Sequence, residues 1–107
     1  MSFSKQIKDW VIKMTDGQAG QLAVRELRHY FTIYGPIRFT VRQEGGLLVA
    51  VSANFHHGNI VTYGKEQKEL DQNIEDAILT AFDVPAVYKQ EAHLQRLNSE
   101  EPLYAVA

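Results

Sequence analysis

Two adjacent histidines, His56 and His57, sit in the segment Phe55-His56-His57-Gly58-Asn59. Imidazole is a common ligand for transition metals. Neighbours in an extended chain point to opposite sides, so this pair chelates one ion poorly. A metal site would need Asp or Glu from elsewhere, or His29 or His93 folded alongside; the other reading is a solvated loop. No metal is assigned. A second group is acidic: Glu66, Glu69, Asp71, Glu75 and Asp76. Asp71 and Glu75 are four apart and Glu69 and Asp76 seven apart, so on a helix such pairs share a face. They could serve as paired carboxylates in acid–base chemistry, as a solvated face, or as a contact for a basic partner. No apolar neighbour is expected to raise a carboxyl pKa here.

The third group is basic. Lys5, Lys8 and Lys13 flank one helical segment, and Arg25, Arg28 and His29 lie beside Tyr30 and Phe31. Arginine interleaved with aromatics can stack bases; the same aromatics can equally belong to a core. Arg38 and Arg42 add charge on the strand that follows. No nucleophile elbow, phosphate loop or dinucleotide fingerprint occurs. The stretches GPIRF and EGGLL are turn chemistry. The chain has no Cys, which removes disulfides, thiolate catalysis and cysteine-ligated zinc together. No catalytic residue and no cofactor follow from these patterns.

The elements that must position these groups are readable from periodicity. Phe3, Ile7, Trp10, Val11 and Met14 form one face of an amphipathic helix over 3–14. Ser2 is its expected N-cap, and Asp16-Gly17 its expected stop. Residues 21–28 read as a second helix; 29–34 fit either a helix or an extended segment. Gly20 inside a helix would cost about 1 kcal/mol. Gly35-Pro36 ends whatever precedes it. Ile37, Phe39 and Val41 then alternate with Arg38, Thr40 and Arg42, as in a half-buried strand. Gln43-Glu44-Gly45-Gly46 is a hairpin turn. Residues 47–54 form a second strand and 60–63 a short third one.

The clearest helix spans 66–82, with Leu70, Ile74, Ala77, Ile78, Ala81 and Phe82 in one stripe. Asp83-Val84-Pro85 breaks it. A weak helical stripe follows over 86–97, and 103–106 reads as a last strand or a tail.

Residues 37–82 carry a hairpin, the strand LLVAVSANF, a loop with Gly58, Thr62-x-Gly64, and an acidic helix with Glu69-Leu70, Asn73-Ile74 and Ala77-Ile78. This order resembles the N-terminal domain of the HicB family of antitoxins. The family commonly has Pro-Gly in the loop where this chain has His57-Gly58. The resemblance implies an α+β fold: a three-stranded antiparallel sheet with a packed helix, β-β-β-α, preceded here by N-terminal helices. It implies a domain that dimerises and covers a small RNA-cleaving toxin. HicB proteins commonly add a DNA-binding module, for which residues 86–107 are too few.

The expected organisation is one domain over 1–107. It comprises a helical extension (1–35), the HicB-like core (37–82), and a C-terminal helix and tail (83–107). The N-terminal helices either close a sheet face or swap onto a partner.

Charge and length complete the reading. The chain has 107 residues and a net charge of −2, a size typical of one domain. Residues 1–42 hold seven Lys/Arg against three acids; residues 43–107 hold four against ten. The halves attract each other, or each meets a partner of opposite charge. No apolar run reaches the roughly 18 residues of a membrane span, and MSFSKQIKDW has no signal-peptide core.

The expectation is a cytoplasmic, non-catalytic protein-interaction module and a homo-oligomer, most simply a dimer. It would be antitoxin-like or a stand-alone HicB-fold protein, meeting a small basic protein through Glu66, Glu69, Asp71 and Asp76. The alternative is a small nucleic-acid-binding protein using Arg25, Arg28, Arg38 and Arg42.

Overall fold

The computed structural model describes residues 16–106. The expected helix over 3–14, with its Ser2 cap and Lys5, Lys8 and Lys13, lies outside the described residues. The first described element is helix α1, Asp16–Tyr34. It is one continuous helix over the described residues, and Asp16 and Gly17 are helical within it. The doubtful stretch 29–34 is helical as well. The reason is burial: Ala23, Val24, Leu27, Tyr30 and Phe31 form a single stripe into the core, and tertiary packing outweighs the β preference of the aromatics. Gly20 is tolerated because a Cβ there would lie 2.1 Å from Tyr88 Cε2; the ring occupies that space. Gly35 takes φ +78°, and its N–H donates to the Phe31 carbonyl at 3.0 Å, a left-handed C-terminal stop.

Three strands follow as a meander: β1 (Ile37–Glu44), β2 (Leu47–Ser52) and β3 (Val61–Gly64). Glu44 pairs with Leu47 across Gly45-Gly46, both at positive φ, the two-residue turn that suits strand twist. Helix α2, Gln67–Ala81, comes next and buries Leu70, Ile74, Ile78 and Leu79.

The chain then departs from the expected three-stranded sheet. A short 3₁₀ turn, Ala86–Tyr88, and a single helical turn, α3 (Lys89–Ala92), lead into β4 (Leu94–Arg96) and β5 (Leu103–Val106). The result is one five-stranded antiparallel sheet, ordered β3-β2-β1-β5-β4. The weak helical stripe over 86–97 thus resolves into a 3₁₀ turn, one helical turn and a strand. The strand over 103–106 is present, pairing Ile37 with Tyr104.

The class is α+β with more sheet than expected. Hairpin β4–β5 covers the β1 edge, so Ile37 and Tyr104 are fully buried. Phe39, Ala50, Leu27 and the α2 stripe complete one core.

Candidate interaction surfaces

The acidic residues of α2 are spent differently. Glu66 stands at the N-cap with no side-chain cap bond and is exposed. Glu69 Oε1 accepts the Lys65 N–H at 2.6 Å, which ties down the entry to the helix. Asp76 pairs with Lys89 at 3.1 Å on the surface. Asp71 points toward the C-terminal hairpin, where one oxygen, Oδ1, accepts from Tyr104 Oη at 2.7 Å, Arg96 Nη1 at 2.9 Å and Gln67 Nε2 at 2.9 Å. Desolvation and the Asp71 carboxylate raise the Tyr104 hydroxyl far above its ordinary value.

Glu75 corrects the expectation of unperturbed carboxyls. Burial raises its pKa, opposed by Lys89 and assisted by Asp71 and Asp76. The helix therefore does not present these acids as one free patch. Asp71 holds α2 to β4–β5, while Glu66 faces solvent.

The four arginines divide between two places. Arg25 and Arg28 lie on α1, and an Arg28 Nη2 donates to the Glu91 carbonyl. Arg38 and Arg42 project from β1, paired with Glu101 at 3.5 Å and Glu44 at 3.0 Å. Both pairs are exposed and contribute little to stability.

Sequence periodicity left one surface unassigned: the outer face of β1–β2–β3. Strand registry aligns Arg42 with Val49 and Val49 with Tyr63. The next row joins Thr40, Val51 and Val61. Leu47 lies beside Glu44. Val61 and Tyr63 are 61% and 60% exposed, and Leu47, Val49 and Val51 are half-buried. On β2 it is Leu48, Ala50 and Ser52 that turn inward, with Ala50 and Ser52 buried. An antiparallel sheet with one wet face ordinarily alternates apolar-in with polar-out. Here β2 puts apolar side chains on both faces, and β3 turns its apolar Val61 and Tyr63 outward.

A cleft of about 420 Å³ lies where the C-terminal half of α1 meets the C-terminal end of α2. Glu26, His29, Tyr30, Ile33 and Tyr34 line it from one helical stripe; His57, Ala81, Phe82 and Asp83 complete it. Tyr30 is buried at its base, with ring centroids of Tyr34 at 4.8 Å and of Phe55, His57 and Phe82 at 5.3 Å. Its hydroxyl accepts the His56 N–H at 3.0 Å. Burial raises the Tyr30 pKa, while that bond lowers it.

His56 stacks on Tyr34 at 3.9 Å. The two histidines are thus part of an aromatic cluster rather than a bare loop. The missed signal was the set of aromatics at 30, 34, 55 and 82, far apart in sequence. Among the described residues, no three His, Asp or Glu side chains are grouped to hold a metal ion, and no helix is long and apolar enough to cross a membrane.

No protein-family model matches this chain, and no curated protein or solved structure is similar to it.

Proposed function

We propose that this chain is a non-catalytic protein-interaction module that works as a homo-oligomer, antitoxin-like in class and suited to a cytoplasmic setting. The observation that carries the reading is the open apolar face of Leu47, Val49, Val51, Val61 and Tyr63. Contiguous apolar surface of this kind marks a contact site. The simplest occupant is a second copy related by a two-fold axis, which sets the same patch against itself. Arg42 and Glu44 border the patch with opposite charges, and a two-fold lets each meet the other's counterpart. The patch is small for an obligate dimer, so association should be concentration-dependent.

The resemblance to HicB adds the partner class, a small basic protein. Glu66, Glu69, Asp71 and Asp76 are the acids first expected to meet it; Glu66 is the one that faces solvent without a bonded neighbour among the described residues. The test is co-expression with a short basic open reading frame beside the gene. A complex that survives purification, and that Glu66→Lys weakens, supports the antitoxin reading. A gene with no such neighbour, or a neighbour that does not bind, overturns it.

The second reading is single-stranded nucleic acid. The row Arg42–Val49–Tyr63 favours it, since it places a guanidinium and an exposed phenol ring on one face. Affinity that falls steeply with salt would support this reading; a flat response would end it.

A further inference from the structure

Among the described residues, the sheet ends in two edges, β3 and β4. An edge strand presents its backbone to other chains, and an apolar one does so most readily. β4 is three residues long. β3 is the greater exposure, because Val61 and Tyr63 are strand-forming residues and more than half exposed. We propose that Glu69 and Asn73 of α2 close the β3 edge to strand addition, so that copies of this chain meet across the outer sheet face without growing into an open-ended assembly. The limit on assembly size rests on the homo-oligomer reading; the closure of the edge rests on geometry alone.

Strand alternation shows which groups face outward. The Ser52 N–H donates to the Ile60 carbonyl at 2.9 Å, and the register continues with Ala50 beside Thr62 and Leu48 beside Gly64. In an antiparallel ladder, bonded pairs alternate with non-bonded ones. Ile60, Thr62 and Gly64 therefore turn their backbone groups toward β2. Val61, Tyr63 and Lys65 turn theirs to the edge.

Helix α2 takes two of those edge groups. Asn73 Nδ2 donates to the Tyr63 carbonyl at 2.6 Å, and Glu69 Oε1 accepts the Lys65 N–H at 2.6 Å. Glu69 and Asn73 are four apart and share one face of the helix. An incoming antiparallel strand would bond both the N–H and the C=O of each edge-facing residue it pairs with. At Tyr63 it meets an engaged carbonyl, and at Lys65 an engaged N–H. Two of three consecutive edge positions are thus spoiled.

Gly64 lets the helix come close enough. A Cβ there would lie 2.6 Å from the Leu70 backbone nitrogen, so its absence brings the first turns of α2 against the end of β3. Neither bond holds the core together. The helix is anchored by Leu70, Ile74, Ile78 and Leu79, and both contacts lie at the surface. Their removal should leave the fold standing.

The test is a Glu69→Ala, Asn73→Ala variant of the full chain, followed by sedimentation velocity and by light scattering over time. The expected result is assemblies severalfold larger than those of the natural chain, from a variant whose far-UV spectrum is unchanged before they form. Gln72→Ala, at an exposed position of the same helix, should behave as the natural chain does.

Proline separates edge pairing from aggregation through unfolding. Val61→Pro removes an N–H that faces the edge and so costs no ladder bond to β2. Added to the double variant, it should abolish the large assemblies, whereas Val61→Ala, which keeps the N–H, should not. Assemblies that persist with the proline overturn the proposal, because the edge would then not be their cause. A double variant that assembles no further than the natural chain also overturns it. A natural chain that is monomeric throughout ends the homo-oligomer reading alone, and the double variant must still assemble through its edge for the closure to stand.

Discussion

The Tyr104 hydroxyl donates to Asp71 Oδ1 at 2.7 Å, and Arg96 Nη1 reaches the same oxygen at 2.9 Å. Tyr104 comes from β5, Arg96 from β4 and Asp71 from the middle of α2. One carboxylate thus fastens the C-terminal hairpin to the central helix. Arg96 extends the fastening: its Nε donates to the Asn98 carbonyl at 2.7 Å, inside the turn that joins the two strands.

Asp71→Ala should be strongly destabilising. It would leave a fully buried tyrosine hydroxyl without its acceptor and a mostly buried guanidinium without its carboxylate, costing about 2–4 kcal/mol. Asp71→Asn keeps an acceptor oxygen and should cost less. Urea unfolding of the two variants measures the difference. Equal losses would mean that the carboxylate's charge, and not its acceptor oxygen, carries the contact.

Glu75 gives a pH-dependent prediction. Its carboxyl is raised above the ordinary value of 4.5, first by burial and then by Asp71 and Asp76, with Lys89 opposing. A carboxyl raised on folding adds stability below its unfolded pKa, and that stability is lost as pH rises through the folded value. At neutral pH the charged form is therefore a burden. Glu75→Gln should stabilise the protein at pH 7 by a few tenths of a kcal/mol, about the size of a like-charge pair on a helix. The gain should vanish near pH 4. Thermal melts at both pH values check it; a gain unchanged at pH 4 would contradict the assignment.

Gly64 should resist substitution. A Cβ there would lie 2.6 Å from the Leu70 backbone nitrogen and 2.8 Å from its Cα. Backbone cannot rotate away as a side chain can. Gly64→Ala should cost about 2–3 kcal/mol, readable as a fall in the urea midpoint with an unchanged m value. Retention of wild-type stability would show that β3 and α2 can part at little cost.

Periodicity carried β1 and α2, because each buries one clean face: Ile37 and Phe39 alternate with exposed residues, and Leu70, Ile74 and Ile78 recur at four-residue spacing. It did not carry β4. That strand is three residues long, and of its two inward positions, Leu94 and Arg96, the second carries a charge that reads as solvent-facing until Asp71 is known to meet it. Residues 29–34 were ambiguous locally and became helical through Tyr30 and Phe31 in the core. The arginine and acid groups were visible as residues. Their partners were not, because Arg38 with Glu101 and Asp71 with Tyr104 are joined only by the fold. The cleft was invisible for the same reason.

The central claim is that the outer face of β1–β2–β3 is an interface between copies of this chain. Sedimentation velocity over a concentration series tests it directly, comparing the natural chain with a Val61→Lys, Tyr63→Lys variant. Both positions are more than half exposed, so the variant should fold. The expected result is a natural chain whose mass climbs toward twice that of the monomer, beside a variant that stays monomeric at every concentration. A natural chain that is monomeric throughout, or a variant that dimerises equally well, would contradict the claim.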